Sequence, residues 1–155
     1  MKAITPCLWL DSGAEDAAEF YVSVFKDGKI LDTATYLTET PSNKPVGSVL
    51  TVTLEIGGQP FMLLNGGPIF TQSEAVSFVI PCDTQEEMDY YYDALSAHPE
   101  SEICGWVKDK FGVSWQVVPS MYDEFMKSAD PEKKKRVMQK VLDSKRLNIE
   151  ELKSA

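Results

Sequence analysis

An internal repeat restricts the folds open to this chain more than any other feature of the sequence. A shift of 70 residues places the apolar run 7–10 on the run 77–80, and the aromatic pair Phe20-Tyr21 on Tyr90-Tyr91. In both copies, a stretch with helical spacing of apolar residues follows the first run. Because such a unit cannot bury the inner face of its own sheet, we expect two copies to pack together, within one chain or across a dimer.

The first half of the sequence predicts a strand, a helix and a short antiparallel meander. Residues 4–10 are apolar or β-branched, and Ser12 with Glu15 forms a capping-box pattern before a helix over residues 14–25. The alternation of apolar and polar residues predicts three further strands, over residues 29–37, 48–56 and 61–64. Residues 38–46 contain two prolines and predict a loop or flexible flap.

The second half repeats this order. Residues 76–81 predict a strand, and Asp83 or Thr84 can cap a helix over residues 85–96. Two more strands are predicted over residues 103–107 and 113–118, and the second of these repeats the strand 61–64. The remaining sequence predicts short helices over residues 121–127 and 132–143 and a last turn over residues 149–153.

The predicted fold class is therefore α+β, with residues 1–155 as a single domain. Two βαβββ modules cover about residues 1–68 and 69–119, and a helical extension covers about residues 120–155.

Charge and composition bear on the possible partners. The net charge is −9, but residues 1–131 hold 7 lysines against 20 acidic residues, while residues 132–155 are net basic. An acidic body repels phosphate groups, so neither nucleic acid nor an anionic membrane is an expected partner. The acidity favours a cationic ligand or serves solubility alone. The basic run 133–136 is followed by apolar residues at helical spacing, which favours the solvated face of a terminal helix.

The cysteine pattern and the apolar runs bear on location. Cys7, Cys82 and Cys104 form an odd number without a Cys-x-x-Cys pair, which is typical of a reducing compartment. The apolar runs are too short to span a bilayer, and the N-terminus lacks the apolar region of a secretory signal. We therefore predict a cytoplasmic protein with no membrane partner.

Several stretches together match a known family: residues 4–10, 17–25, 61–68, 104–106, 109–119 and the tail 145–155. On these stretches the chain resembles the PhnB-like branch of the vicinal oxygen chelate superfamily, the glyoxalase, bleomycin-resistance and extradiol-dioxygenase group. Members of this branch often carry the label 3-demethylubiquinone-9 3-methyltransferase. The resemblance implies that the two modules form a concave mixed sheet around a cavity and that the protein is a homodimer.

The resemblance also implies where a metal would bind. Catalytic members of the superfamily hold a divalent metal with His, Glu or Gln side chains, at positions that fall near Pro6, Met62, Val76 and Gln116 here. Proline and valine cannot coordinate a metal, and an amide with a thioether suits neither a hard cation nor zinc. We therefore predict no metal, or at most weak adventitious binding, and no other cofactor. The methyltransferase label lacks a glycine-rich cofactor turn, since the pair Gly66-Gly67 is short and Pro68 follows it.

Seven residues are predicted to contact a small-molecule ligand: Gln116, Asn65, Met62, Trp106, Trp115, Phe78 and Cys104. Gln116 is predicted to supply an amide to the cavity, with a structural hydrogen bond as the alternative. The alternative for Asn65 is turn capping, and for the tryptophans it is core or dimer-interface packing. Cys104 is the best candidate nucleophile, but no histidine is near it in sequence, and His98 is improbable as its partner.

The leading functional hypothesis is a metal-independent protein that binds or sequesters a small molecule. One alternative is a vicinal oxygen chelate enzyme, such as a lyase, isomerase or oxygenase. Another is a non-catalytic interaction protein whose cavity is filled by its own side chains. No catalytic residue is assigned, because no acid–base pair stands out from the sequence.

Overall fold

The computed structural model describes residues 4–128 and 130–155. Two compact units are present, the first ending at Gln72 and the second beginning at Ser73. Each unit contains a small mixed sheet and a helix that packs on it. The predicted α+β class is thus confirmed.

The first unit contains one helix and four strands. They are β1 (Cys7–Leu10), α1 (Ala14–Val24), β2 (Lys29–Thr35), β3 (Val49–Ile56) and β4 (Gln59–Asn65). The strand order is β1-β4-β3-β2, in which β1 is parallel to β4 and the other neighbours are antiparallel. The turn between β3 and β4 places Gly57 and Gly58 at φ of 57° and 72°. Two consecutive positive φ angles favour glycine, which explains the Gly-Gly pair at this turn.

Helix α1 packs on β3 and β4 through small side chains. Its buried residues are Ala14, Ala17, Ala18, Tyr21 and Val24. The alanines let the helix axis approach the sheet closely, and their partners on β3 and β4 are buried aliphatic and aromatic residues. The predicted capping box of Ser12 and Glu15 is wrong, because Gly13 occupies the N-cap with φ of 83°.

Among the described residues, the second unit contains three strands and four α-helices, besides a short 3-10 helix over Pro99–Ser101. They are β5 (Ser77–Cys82), α2 (Gln85–Leu95), β6 (Trp106–Lys108), β7 (Ser114–Pro119), α3 (Met121–Ser128), α4 (Pro131–Leu142) and α5 (Ile149–Ser154). The strand order is β5-β7-β6, with β5 parallel to β7. Thr84 caps α2 by accepting a hydrogen bond from the Glu87 N–H, as one of the two predicted alternatives requires.

The second sheet has three strands among the described residues, one fewer than a full βαβββ module. The predicted strand over residues 103–107 is reduced to β6, and Ile103 forms only an isolated bridge with Trp106. Cys104 and Gly105 interrupt the strand with φ of 54° and 83°. Their N–H groups donate to the carbonyls of Ser144 and Lys145, so the tail pairs with the backbone that precedes β6.

The repeat is present, although its spacing within the helices differs from the prediction by one residue. Tyr21 and Val24 are buried in α1, and Tyr92 and Leu95 are buried in α2. The alignment of Tyr21 with Tyr91 is therefore wrong. Three consecutive tyrosines precede Asp93, and only the helix phase decides which of them faces the sheet. The predicted correspondence of β4 with β7 holds, since the buried and half-buried positions alternate in the same order.

The predicted C-terminal helices are present, and α4, α5 and the loop between them contribute buried residues to the second unit. Val137, Leu147, Ile149 and Leu152 are buried. The Gln85 side chain joins the tail to α2, because its Oε1 accepts from the Ile149 N–H at 2.9 Å and its Nε2 donates to the Leu147 carbonyl at 3.2 Å.

Across residues 4–128 and 130–155, no helix has both the length and the apolar content that crossing a bilayer requires.

Candidate functional site

Each sheet has one face against a helix and one face away from it, which we call the open face. On the second sheet, Val107, Trp115 and Val117 are buried on the helix side. Gln116 lies between Val79 of β5 and Trp106 of β6. These three residues form one row across the open face, because side chains of paired residues point to the same side of a sheet.

Gln116 is the central polar group of this row. Its Nε2 donates a hydrogen bond to Ser77 Oγ at 2.9 Å, and its side chain is half-buried. Val79 is 56% exposed and Trp106 is half-buried on either side of it. An amide flanked by accessible apolar side chains can fix the orientation of a small ligand that covers the row.

The adjacent row of the open face is polar. In the strand register, Ser114 lies opposite Ser77 of β5 on one side and opposite Lys108 of β6 on the other. The Lys108 ammonium forms an ion pair with Glu74, a residue that precedes β5. This contact holds the pKa of the Glu74 carboxyl below its usual value through the hydrogen bond from Lys108.

The hydroxyl of Ser114 is an exception to the rule that buried polar groups form hydrogen bonds. The residue is 2% exposed, and its Oγ has no hydrogen-bond partner among the described residues. A buried hydroxyl without a partner costs about 1–3 kcal/mol of stability. Sequence reasoning did not single out Ser114 or Ser77, although both stand at alternate positions from Gln116 and Val79 along their strands.

Trp115 and Phe78 lie on the other face. Their rings pack together with centroids 5.4 Å apart, and Trp115 is buried. The expectation that they share a ligand surface with Gln116 is not met, because consecutive residues of a strand point to opposite faces. Core packing, the alternative considered for tryptophan, describes Trp115.

Asp109 holds Trp115 in place. This carboxylate is 0% exposed, and its Oδ2 accepts from the Trp115 indole N–H at 2.8 Å. Its Oδ1 accepts from the N–H groups of Phe111 and Val113. The hairpin between β6 and β7 is therefore built around a buried carboxylate.

Asn65 lies at the buried end of β4 and fastens it to α1. Its Oδ1 accepts from the Ala14 N–H at 2.8 Å, and its Nδ2 donates to Glu15 Oε2 and to the Val49 carbonyl. Because the N-cap residue Gly13 has no side chain, Asn65 supplies the missing acceptor from a distant strand. The capping alternative for Asn65 thus fits the structure, with the helix start in place of a turn.

Met62 lies on the open face of the first sheet, in a row with Cys7 of β1 and Thr53 of β3. A thiol, a thioether and a hydroxyl are a poor ligand set for a hard divalent cation. Partial burial also raises the pKa of the Cys7 thiol, which disfavours the thiolate that a softer metal would need. Within the described ranges, no three His, Cys, Asp or Glu side chains are grouped to hold a metal ion.

Cys104 lies in the turn that binds the C-terminal tail. Its N–H donates to the Ser144 carbonyl at 2.7 Å, and its Sγ lies 3.9 Å from the Leu142 carbonyl oxygen. His98 is instead near Glu100, with 3.3 Å between Nδ1 and Oε1. The contacts of the Cys104 thiol therefore do not activate it as a nucleophile.

Two cavities lie in the first unit, and sequence reasoning missed both. One has a volume of about 530 Å³ and is formed within the loop of residues 39–46, predicted as a flap. The other, of about 260 Å³, lies at the start of α1 and is lined by Glu15, Lys44 and Asn65 among others. Lys44 is paired there with Asp11, and Asn65 is already bonded to Glu15.

Comparison with known proteins assigns the family. A model of the 3-demethylubiquinone-9 3-methyltransferase family matches residues 2–118. The chain belongs to this family. One similar solved structure comes from Bacillus cereus and is described as a putative 3-demethylubiquinone-9 3-methyltransferase, PhnB protein. Its sequence is 32% identical to this chain, and the match covers 76% of this chain and 99% of the other, with a TM-score of 0.62. The predicted membership of the PhnB-like group is confirmed.

More distant structures support the fold alone. Protein PA1353 from Pseudomonas aeruginosa is 19% identical, covers 74% of this chain and 95% of its own, and has a TM-score of 0.55. No curated protein sequence matches the chain. The segment that matches the 3-demethylubiquinone-9 3-methyltransferase family ends at residue 118, so the tail 145–155, which was part of the predicted resemblance, lies outside it.

The methyltransferase in the family description calls for a cofactor, and the glycine pair of this chain does not suit one. The Gly66 N–H donates to the Leu10 carbonyl, and the Gly67 N–H donates to that of Asp11. A Cβ at Gly66 would lie 2.3 Å from the Trp9 ring, so packing explains this glycine. Both N–H donors serve the scaffold and are not directed at a ligand.

Proposed function

We propose that this protein binds a small organic molecule on the open face of its second sheet, without a metal and without chemical conversion. The observation that carries the proposal is the position of Gln116 between Val79 and Trp106. Binding sites of this kind combine an apolar surface with a few fixed polar groups. The row of Gln116 has this composition, and the adjacent row adds Lys108 and two serine hydroxyls.

The chemistry of the open face favours binding over catalysis. The ammonium of Lys108 is neutralised by Glu74, and the hydroxyl of Ser77 accepts a hydrogen bond from an amide. Neither contact increases the nucleophilicity of a hydroxyl, since that requires an adjacent base. A methyl-transfer role receives no support from Gly66 and Gly67, because the scaffold uses their N–H groups.

A fluorescent probe tests the proposed surface. We expect 8-anilinonaphthalene-1-sulfonate, which has an aromatic body and one negative charge, to bind the folded protein with increased fluorescence. Val79→Asp places a charge at one end of the row, next to Gln116, and is expected to weaken binding roughly tenfold. Leu142→Asp is the matched control, because Leu142 is 57% exposed on α4 and lies outside the row. Equal loss in both variants, or no binding by the folded protein, contradicts the proposal.

The homodimer expected from the family resemblance remains a proposal. Apolar side chains such as Val76 and Ile103 are exposed in the second unit, and burial in an interface would stabilise them. Sedimentation velocity across a range of protein concentrations measures the oligomeric state directly. A single monomeric species throughout that range contradicts the proposed dimer.

A further inference from the structure

Ser114 indicates that the polar row of the second sheet is incomplete without a further group. Its hydroxyl is closed to solvent and has no partner in the described part of the chain. Native proteins rarely leave a buried polar atom in this state, and each exception has a cause such as strain, a functional role, or a water or ion that binds there. The neighbours of Ser114 then show what kind of group would satisfy it.

Hydrogen-bond donors lie on both sides of Ser114. The Lys108 ammonium is a donor with no acceptor capacity, and its side chain is only 22% exposed. Ser77 Oγ accepts a bond from Gln116, which directs the hydroxyl hydrogen of Ser77 elsewhere. Neighbouring strands are separated by about 4.8 Å, so the donors of this row span roughly 10 Å across three strands.

Charge restricts the class of ligand further. Residues 73–119 contain nine acidic residues and only two lysines, Lys108 and Lys110. The Lys110 ammonium lies over the Phe111 ring in the hairpin turn. Lys108 instead lies on the open face, opposite Ser114 in the strand register. The open face thus carries a single positive charge beside hydroxyl donors, which suits a monoanion.

The structure already contains a carboxylate bound to Lys108. Glu74 lies outside the strands, before β5, and its side chain is 59% exposed. Because Glu74 is this exposed, water competes with Lys108 for its carboxylate and weakens the ion pair. A carboxylate that lies on an exposed segment, held by this ion pair and by the backbone N–H of its own residue, can exchange with a carboxylate from solution.

We infer that Lys108, Ser114 and Ser77 form a subsite for the carboxylate of a small organic acid, and that Glu74 occupies its cationic end in the free protein. The inference rests on the proposed binding function and names its ligand class. The apolar body of the acid covers Val79 and Trp106, next to the Gln116 amide. As the ligand carboxylate replaces Glu74, the Lys108 side chain moves and the Ser114 hydroxyl gains its acceptor.

Binding of benzoate and indole-3-acetate, compared with the neutral analogue benzamide, tests the subsite. We expect both acids to bind the full chain in isothermal titration calorimetry, and benzamide to bind roughly tenfold more weakly or not at all. Phenylphosphonate and benzylamine extend the series to a dianion and a cation. Tighter binding of either one than of benzoate overturns the assignment to a carboxylate.

Substitutions separate the roles of the three groups. Lys108→Met keeps the side-chain length, removes the charge and is expected to weaken benzoate roughly tenfold, while Lys110→Met in the adjacent turn leaves it unchanged. Glu74→Gln removes the internal competitor and is expected to tighten benzoate several-fold. Ser114→Ala is expected to weaken benzoate without lowering the midpoint of urea unfolding, since it removes an unsatisfied hydroxyl. A merely structural serine would show the opposite.

The outcomes distinguish this inference from the proposed function. If the sulfonate probe binds the Val79 surface but Lys108→Met and Glu74→Gln leave the affinity for benzoate unchanged, the subsite is wrong and the binding function stands. If neither the probe nor any acid binds the folded protein, both proposals fail. Far-ultraviolet circular dichroism of each variant shows whether it is folded. If Lys108→Met does not fold, Glu74→Gln still tests the subsite, because it changes an exposed side chain.

Discussion

The carboxylate of Asp109 accepts a hydrogen bond of 2.8 Å from the indole N–H of Trp115, and both residues are buried on the helix side of the second sheet. The same carboxylate accepts from two backbone N–H groups of its own hairpin. The position of β7, and therefore of Gln116 on its other face, depends on this buried group. The contact gives the first of five predictions.

Asp109→Ala removes the acceptor of three N–H groups in a buried hairpin, so we expect a loss of about 3 kcal/mol or more in the free energy of unfolding. Trp115→Phe removes one donor and is expected to cost less. The exposed Asp123→Ala is the control and should change stability by less than about 0.5 kcal/mol. Urea unfolding followed by circular dichroism measures all three. A change below about 1 kcal/mol for Asp109→Ala would mean that water takes over the hydrogen bonds of the missing carboxylate.

Asn65→Ala separates β4 from the start of α1. The change leaves the Ala14 N–H and the Val49 carbonyl without their side-chain partner. We expect a loss of about 2–3 kcal/mol, more than the value near 1 kcal/mol expected for Thr84→Ala at the exposed cap of α2. Thermal and urea unfolding provide the comparison. Equal costs for the two substitutions would show that Asn65 acts as an ordinary cap.

Stability is expected to fall in alkaline solution because of Cys82. Burial raises the pKa of this thiol to about 12 in the folded protein, above its ordinary value of 9.0. The unfolded chain therefore loses its proton first, and the contribution of the thiol, full below pH 9, decreases as the pH rises towards 12. Above pH 9, Cys82→Ala should make the unfolding midpoint less dependent on pH. If the slope of the midpoint against pH is unchanged in this variant, other groups cause the alkaline loss of stability.

Cys7 and Cys82 are expected to differ in their reaction with iodoacetamide. Cys82 is buried and should react only after unfolding, whereas Cys7 is exposed on β1 and should react in the folded protein. The raised pKa of Cys7 should make its reaction slower than that of a free thiol at the same pH. Mass spectrometry of peptides after timed labelling gives the rates. Fast labelling of Cys82 in the native protein would show that β5 opens locally.

The C-terminal tail is expected to be held by apolar burial more than by charge. Arg146 lies over the Tyr92 ring at 4.3 Å and pairs with Asp89 and Asp93, but its side chain is partly exposed. We expect Arg146→Ala to cost about 1 kcal/mol, and Leu147→Ala about 2–4 kcal/mol, because Leu147 is buried. Urea unfolding and limited proteolysis of the tail measure the two effects. The reverse order would indicate that the ion pairs dominate.

Much of the fold could be predicted from local patterns. Alternating residues located β3, and helical spacing located α1 and α2. The break at Cys104 and Gly105 was not predictable, because their backbone pairs with Ser144 and Lys145 about forty residues later. No local propensity of residues 103–107 describes that competition between a strand and a tail.

The candidate site was predicted in part. Gln116 and Trp106 lie side by side on the open face, as a ligand surface requires. Trp115 and Phe78 were grouped with them on residue type, whereas the period of two along a strand places Trp115 opposite Gln116. The same period of two places Ser114 on the face of Gln116 and Lys108 on the face of Trp106, so strict use of it predicts both residues on the open face.

The sequence by itself determined the order of strands and helices and the two related halves, since these follow from residue type and spacing along the chain. Only the tertiary structure decided which tyrosine of α2 is buried and that Asn65 caps α1. It also decided that the Ser114 hydroxyl, beside Lys108, has no hydrogen-bond partner within residues 4–128 and 130–155. Those facts depend on contacts between segments far apart in sequence, where packing and hydrogen-bond geometry, and not local preference, select the partner.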